Sequence, residues 1–242
     1  MWEPRFYRNW SKDRDLVSFN AVVRETDLYV RARRNLKRKA LKAILKYRAP
    51  LEEYIEQHPE FLTSLEPVEV EKGAPQIVKT MAEAAAAVGV GPMAAVAGAI
   101  AEYVGKELLP FSPEIIVENG GDIFMKTLQK RLVGIYAGTS PFTGKIALEI
   151  QPEETPLGVC TSSGTVGHSL SFGKADACII LSSSTALADA AATAVGNIIL
   201  EASDMPRGID FAKNIDGIKG LLVIKGDRMA TWGEVQVVKV GG

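Results

Sequence analysis

Cysteine and histidine are scarce in this 242-residue chain, which has two of each. Cys160 and Cys178 cannot build a disulfide framework, and the four residues together exclude a zinc site of the usual spacing. Aromatic residues make up 7% of the chain, and no aromatic ladder is interleaved with the cations as single-strand binders require. Long apolar runs are also missing. The longest weakly polar window, Val88 to Ala101, holds Gly89, Gly91, Pro92 and Gly98 and is shorter than a bilayer span, so no membrane insertion is expected. The N-terminal MWEPRFYRNWSKDRD lacks the apolar region of a secretion signal, which together with the sparse cysteines predicts a cytoplasmic protein. A net charge of −1 gives no overall attraction to nucleic acid. No repeat of solenoid period and no long linker divides the chain, so one domain over 1–242 is expected, large enough to bury its own core.

What stands out is Ser182 to Asn197, SSSTALADAAATAVGN, an alanine-rich stretch with an acid and a hydroxyl on it. Asp189 and Thr193 are four apart, which on a helix puts them on one face, a turn from each other. The serines predict an N-cap at Ser184, and Gly196 with Asn197 predicts a stop, for a helix over about 185–196. A carboxylate buried on such a surface costs several kcal/mol unless it is paired, hydrogen-bonded or on a metal. The plain alternative is that Asp189 caps a neighbouring loop while Thr193 bonds back to the Asp189 carbonyl, since an isolated D-x-x-x-T is unspecific.

Taken in order, residues 16–34 predict a β-hairpin turning at RETD, followed by an amphipathic helix over Leu36–Arg48 and a second short helix opened by Pro50. Between Arg31 and Arg48 lie nine cations and no acid. This stretch reads as a solvated face balanced by Glu52, Glu53, Glu56 and Glu60 rather than as an RNA-binding surface, so RNA is not an expected partner. Residues 61–72 predict loop or short strand, and Pro75–Val88 and Met93–Leu109 predict helices. GVGPMA between them matches the dinucleotide pattern in letters alone, because it follows a helix rather than a strand. Its glycines are expected to let two helices turn and pack closely.

EIIVENGGDIFMK predicts strand, glycine turn and strand, and KRLVGIYAG and KIALEIQ are expected to continue the antiparallel meander. The turn Gly120, Gly121 with Asp122 suits either a plain hairpin or a ribityl or phosphate group. GVCTSSGTVGH at 158–168 offers hydroxyls and glycines to an anion. Cys160 reads as a small buried strand residue with no base in view, and His168 as a lone histidine. ADACIILSSS predicts a buried strand, DMPRGIDFAKN a polar loop, and GLLVIKGDRMATW and EVQVVKV closing strands. The fold class is α+β, with helices covering one side of a mainly antiparallel sheet.

The ordered series VAGAIAEYVG, VENGGDI, CTSSG and ALADAAATA resembles the ApbE superfamily, flavin transferases that move FMN from FAD onto a protein threonine, and in particular its short branch. The resemblance spans about residues 90–200 and implies an ApbE-like, T-fold-related architecture. It implies magnesium on Asp189 and Thr193, with a main-chain carbonyl at Ala101, and FAD or a related nucleotide lined by Gly120, Gly121, Asp122, Thr161, Ser162, Ser163 and Gly164. It also implies assembly through sheet edges, hence a homodimer. Two departures stand against transfer itself: Glu102 takes the place of a lysine, and the Pro-x-Thr-Gly segment expected before the ADxxxT helix is missing. The hairpin and basic helix, about 16–57, are expected to be particular to this branch. The expectation is therefore a nucleotide-binding protein with a divalent metal, acting on the diphosphate or retaining the fold as a non-catalytic binder.

Overall fold

The central strands are apolar on both sides, and that dictates the layering. In ACIILS, Cys178 and Ile180 point one way and Ala177, Ile179 and Leu181 the other, all at most 3% exposed. A sheet built from such strands must be covered on both faces.

The computed structural model describes residues 15–165 and 172–240. Its strands are β1 (Val17–Val23), β2 (Thr26–Ala32), β3 (Ile115–Asn119), β4 (Asp122–Lys126), β5 (Arg131–Gly134), β6 (Ile146–Ile150), β7 (Leu157–Ser162), β8 (Ala177–Ser182), β9 (Ile218–Lys225), β10 (Arg228–Gly233) and β11 (Val237–Lys239). Its helices are α1 (Lys37–Gln57), α2 (Pro59–Thr63), α3 (Gln76–Val88), α4 (Val96–Leu108), α5 (Thr185–Ile198) and α6 (Met205–Lys213). An eight-stranded sheet runs in the order β1-β2-β3-β4-β7-β8-β9-β10, and every neighbouring pair is antiparallel. The helices pack on one face, where Ile115, Val117, Phe124, Cys160, Ile180 and Val223 join the helical core. A second sheet, β11-β6-β5, covers the other face over Ile116, Met125, Val159, Ile179 and Leu222.

The two expected hairpins are present, turning at Arg24–Glu25 and at Gly120–Gly121, whose φ of 70° and 116° only glycine adopts without strain. The GVGPMA segment joins α3 to α4 across a bend of 106°. Gly89 closes α3 in the left-handed region, and a Cβ on Gly91 would stand 1.9 Å from the Ser64 carbonyl oxygen.

Four expectations are corrected. Strands β5 and β6 do not continue the meander, because β4 pairs with β7 through Ile123 and Val159, leaving the intervening strands to form the second sheet. Pro50 does not start a helix but lies inside the single 21-residue α1. Burial of Ile44 before it and Leu51 and Tyr54 after it holds both halves in one helix despite the hydrogen bond that proline removes. Residues 59–63 form α2, and no strand follows in 64–72. Residues 205–213 are α6 rather than a loop, with Pro206 in the first turn, and Gly208 set close enough to Ile199 that a Cβ would lie 2.8 Å from its Cδ1.

Candidate functional site

Helices α4 and α5 cross with almost no side chain between them. A Cβ on Gly98 would lie 2.4 Å from the Thr185 carbonyl oxygen and 2.8 Å from the Asp189 Cβ. So close a crossing lets each helix reach the other's first-turn amides, which have no partner within their own helix. Asp189 Oδ2 on α5 accepts from the Gly98 N–H at 2.8 Å. Glu102 Oε2 on α4 accepts from the Thr185 N–H at 2.6 Å and the Ala186 N–H at 3.4 Å. The helices are antiparallel here, and each N-terminus, with its unsatisfied amides and partial positive charge, holds a carboxylate of the other. The expected local cap is present as well, since Ser184 Oγ accepts from the Leu187 N–H at 3.3 Å, and α5 runs over 185–198.

Asp122, the first residue of β4, brings a second carboxyl toward Asp189. It is 8% exposed, and its Oδ1 accepts from the Thr161 N–H of β7 at 3.3 Å. Burial, with the Glu118 charge adding to it, pushes its pKa up to about 7. Asp189 is half-buried by its surface, yet its carboxyl is enclosed enough that burial and the negative charge of Asp122 hold it well above the ordinary carboxylate range. Cys160 completes the corner, its Sγ donating to the Thr185 carbonyl at 3.4 Å. Burial and the two acids push this thiol up, so it is a packed strand residue rather than a thiolate nucleophile. Among the described residues no cation acts on either Asp122 or Asp189. Two such carboxyls must share protons or be neutralised by a bound cation.

Thr193 lies half-buried one turn beyond Asp189, and among the described residues its hydroxyl makes no hydrogen bond, to the Asp189 carbonyl or elsewhere. Gly120 is exposed, and Gly121 faces Thr161, whose carbonyl oxygen would be 4.0 Å from a Cβ there. Gly120, Gly121, Asp122, Thr161 and Asp189 therefore converge where the β3–β4 turn, β7 and α5 meet. Ser162 lies further along, beside Gly196 of α5. Ser163 Oγ accepts from the Thr165 N–H at 3.1 Å. Gly164 stacks on the Gly173 backbone and Gly173 on that of Gly196, with 2.0 and 1.8 Å left for a Cβ. Ser163 and Gly164 thus belong to a loop clamped on the C-terminal end of α5. Ala101 is fully buried inside α4, a turn past Gly98, with its carbonyl in the helical ladder. His168 lies outside the described residues. Among the described residues no three His, Cys, Asp or Glu side chains form a metal cluster.

Sequence reasoning missed that Asp122 and Asp189 share a corner and that Glu102 caps α5. No local signal carries either, because each depends on register between distant segments. Residues 8–210 match the AbpE bacteria family. The chain belongs to that family. The match takes in the hairpin and α1, for which the motifs alone offered no counterpart. A UPF0280 protein of Methanococcus aeolicus is 44% identical over 206 residues, covering 83% of each chain. Another, of Methanocella arvoryzae, is 44% identical over 214 residues, covering 88% of this chain and 87% of its own. Among solved structures, the apo flavinyl transferase ApbE of Pseudomonas stutzeri has a TM-score of 0.58 at 12% identity, covering 90% of this chain and 94% of its own. The ApbE protein of Thermotoga maritima has a TM-score of 0.57 at 12% identity, covering 89% and 96%. These likenesses make the fold of this family member ApbE-like and α+β. Among its described residues, no single helix is long and apolar enough to cross a membrane.

Proposed function

We propose that this protein binds FAD or a related nucleotide with a divalent metal, magnesium being the natural choice, along the strip of α5 bearing Asp189 and Thr193. The observation that carries the reading is the pair of buried carboxyls, Asp122 and Asp189, with no cation beside them and an unbonded Thr193 hydroxyl a turn away among the described residues. Carboxylate, hydroxyl and carbonyl oxygens suit magnesium, which needs few protein donors when substrate phosphates supply the rest. Asp189 is oriented by the Gly98 amide through Oδ2, and the Ala97 amide also acts on its carboxylate. Thr193 is the further donor, whereas the carbonyl of Ala101 is taken up in the α4 ladder. When bound, the metal supplies neutralisation and polarisation of the diphosphate. Gly120, Gly121, Asp122, Thr161, Ser162, Ser163 and Gly164 are then the residues that line the nucleotide. The solved flavinyl transferase of the same fold supports a flavin as the ligand class.

Metal-assisted hydrolysis or transfer at the diphosphate is the activity this arrangement favours. A second reading, ligand binding without turnover, rests on Glu102. The carboxylate standing where the resemblance expects a lysine is committed to α5, so no side chain there is free to contact an anionic ligand.

Thermal melts with FAD and magnesium, alone and together, test the binding. Stabilisation that needs both and is lost in Asp189→Ala supports the proposal, whereas equal shifts in wild type and variant would sink it. Assay of FAD conversion to FMN and AMP then separates the two readings.

A further inference from the structure

Helix α1 presents a charged ridge that is complementary to itself. Arg38, Lys42, Leu45, Ala49, Glu53 and Glu56 are all exposed and recur at spacings of three and four, so they form one line along the helix. The opposite side, Ala40, Ala43, Ile44, Leu51 and Tyr54, is buried on the core. Charges on the helix flanks are paired within the chain: Lys46 with Glu107 at 2.8 Å, Arg48 with Glu52 at 2.6 Å and with Glu25 at 2.7 Å. The four on the ridge have no partner among the described residues. Their order also opposes the helix dipole. The first turn holds Lys37, Arg38 and Lys39 with no acid, and the last turn holds no base. Each such charge is unfavourably placed at its helix end.

We propose that α1 is an isologous dimer interface whose occupant is a second copy of this chain. A twofold axis crossing α1 near Tyr47 sets two copies antiparallel. It places Arg38 opposite the partner's Glu56, Lys42 opposite the partner's Glu53, and Leu45 opposite the partner's Ala49. The twofold doubles each pair, and the acidic end of one copy then lies against the basic helix N-terminus of the other. Leu45, 55% exposed, fills the centre.

The ridge from Arg38 to Glu56 is about 27 Å long at about 1.5 Å per residue. At roughly 10 Å wide it buries on the order of 300 Å² per copy, below the roughly 800 Å² of a standard interface. Association through α1 is therefore weak, in the micromolar range or above, and falls as salt screens its four ion pairs. This surface is distinct from the sheet edges that the family resemblance implies.

Sedimentation of the full chain at about 50 and about 500 mM salt reads the association. Wild type is expected to dimerise at low salt and dissociate at high salt. Arg38→Glu with Lys42→Glu, and separately Glu53→Lys with Glu56→Lys, should each give a folded monomer by circular dichroism. An equimolar mixture of the two variants should restore a dimer, since one ridge is then wholly acidic and the other wholly basic. A wild-type monomer at low salt overturns the proposal. So does a dimer that survives both reversals, as a sheet-edge assembly would, or a mixture that stays monomeric.

Discussion

Replacing Glu102 with alanine tests whether the crossed carboxylates organise the site. In the native protein the Glu102 side chain, 6% exposed, is the acceptor for two amides on the fully buried Thr185 and Ala186. Its other oxygen meets Lys106 Nζ at 2.5 Å, but that lysine is 58% exposed, so little stability is assigned to the ion pair. Truncation strands the Thr185 amide in the core at about 1–3 kcal/mol and removes a negative charge from a helix N-terminus at about 0.5–1 kcal/mol. The sum is about 2–4 kcal/mol. In a chain of this size each kcal/mol moves Tm by about 2–4 °C, so Glu102→Ala should melt about 4–16 °C below wild type. Glu102→Gln keeps a carbonyl acceptor and loses the charge, so its loss should be under half as large. Glu102→Lys places a cation against the same helix end and should be the worst of the three. Calorimetry at pH 7 reads the order, and hydrogen exchange at Thr185 and Ala186 reports the site directly, with faster exchange in the alanine variant. A Glu102→Ala protein melting within about 1 °C of wild type, with both amides still protected, would refute the reasoning.

The same crossing predicts that Gly98→Ala is damaging, because the new methyl meets the Thr185 carbonyl at 2.4 Å. Overpacking of this kind costs about 1–3 kcal/mol, read as a lower denaturation midpoint at unchanged m-value. Asp122 predicts a pH dependence. Its folded pKa of about 7 lies above the ordinary 3.8, so its contribution to stability is complete below about pH 4 and is lost as pH rises to about 7. Asp122→Asn removes that titration, so wild type should lose stability relative to the variant across this window, and parallel melting curves from pH 4 to 7 would contradict the assignment. Cys160 and Cys178 are fully buried, and burial raises both thiols. Neither should react with a disulfide reagent at pH 8 until denaturant is added, when two thiols per chain should appear.

Helix α5 could be read from sequence because its signals are local. Ser184 caps an amide three residues on, and the alanine run with one acid and one hydroxyl needs only helical spacing to align Asp189 with Thr193. The hairpins were legible for the same reason, since Gly120 and Gly121 mark their own turn. Pro50 and Gly208 misled because a weak helix former inside a helix is decided by what the surrounding residues bury, here Leu51, Tyr54, Met205 and Ala212. The second sheet left no trace in β5 and β6, because a strand's composition does not say which strand it will pair with. The site depended most on tertiary structure. The series from Gly98 to Thr193 could be recognised in order, but the pairing of Asp122 with Asp189, and of Glu102 with the start of α5, required the register of β4 on β7 and the glycine crossing of two helices. Charge and hydrogen bonding act over a few ångströms in space, and only the packed chain brings those segments within that range.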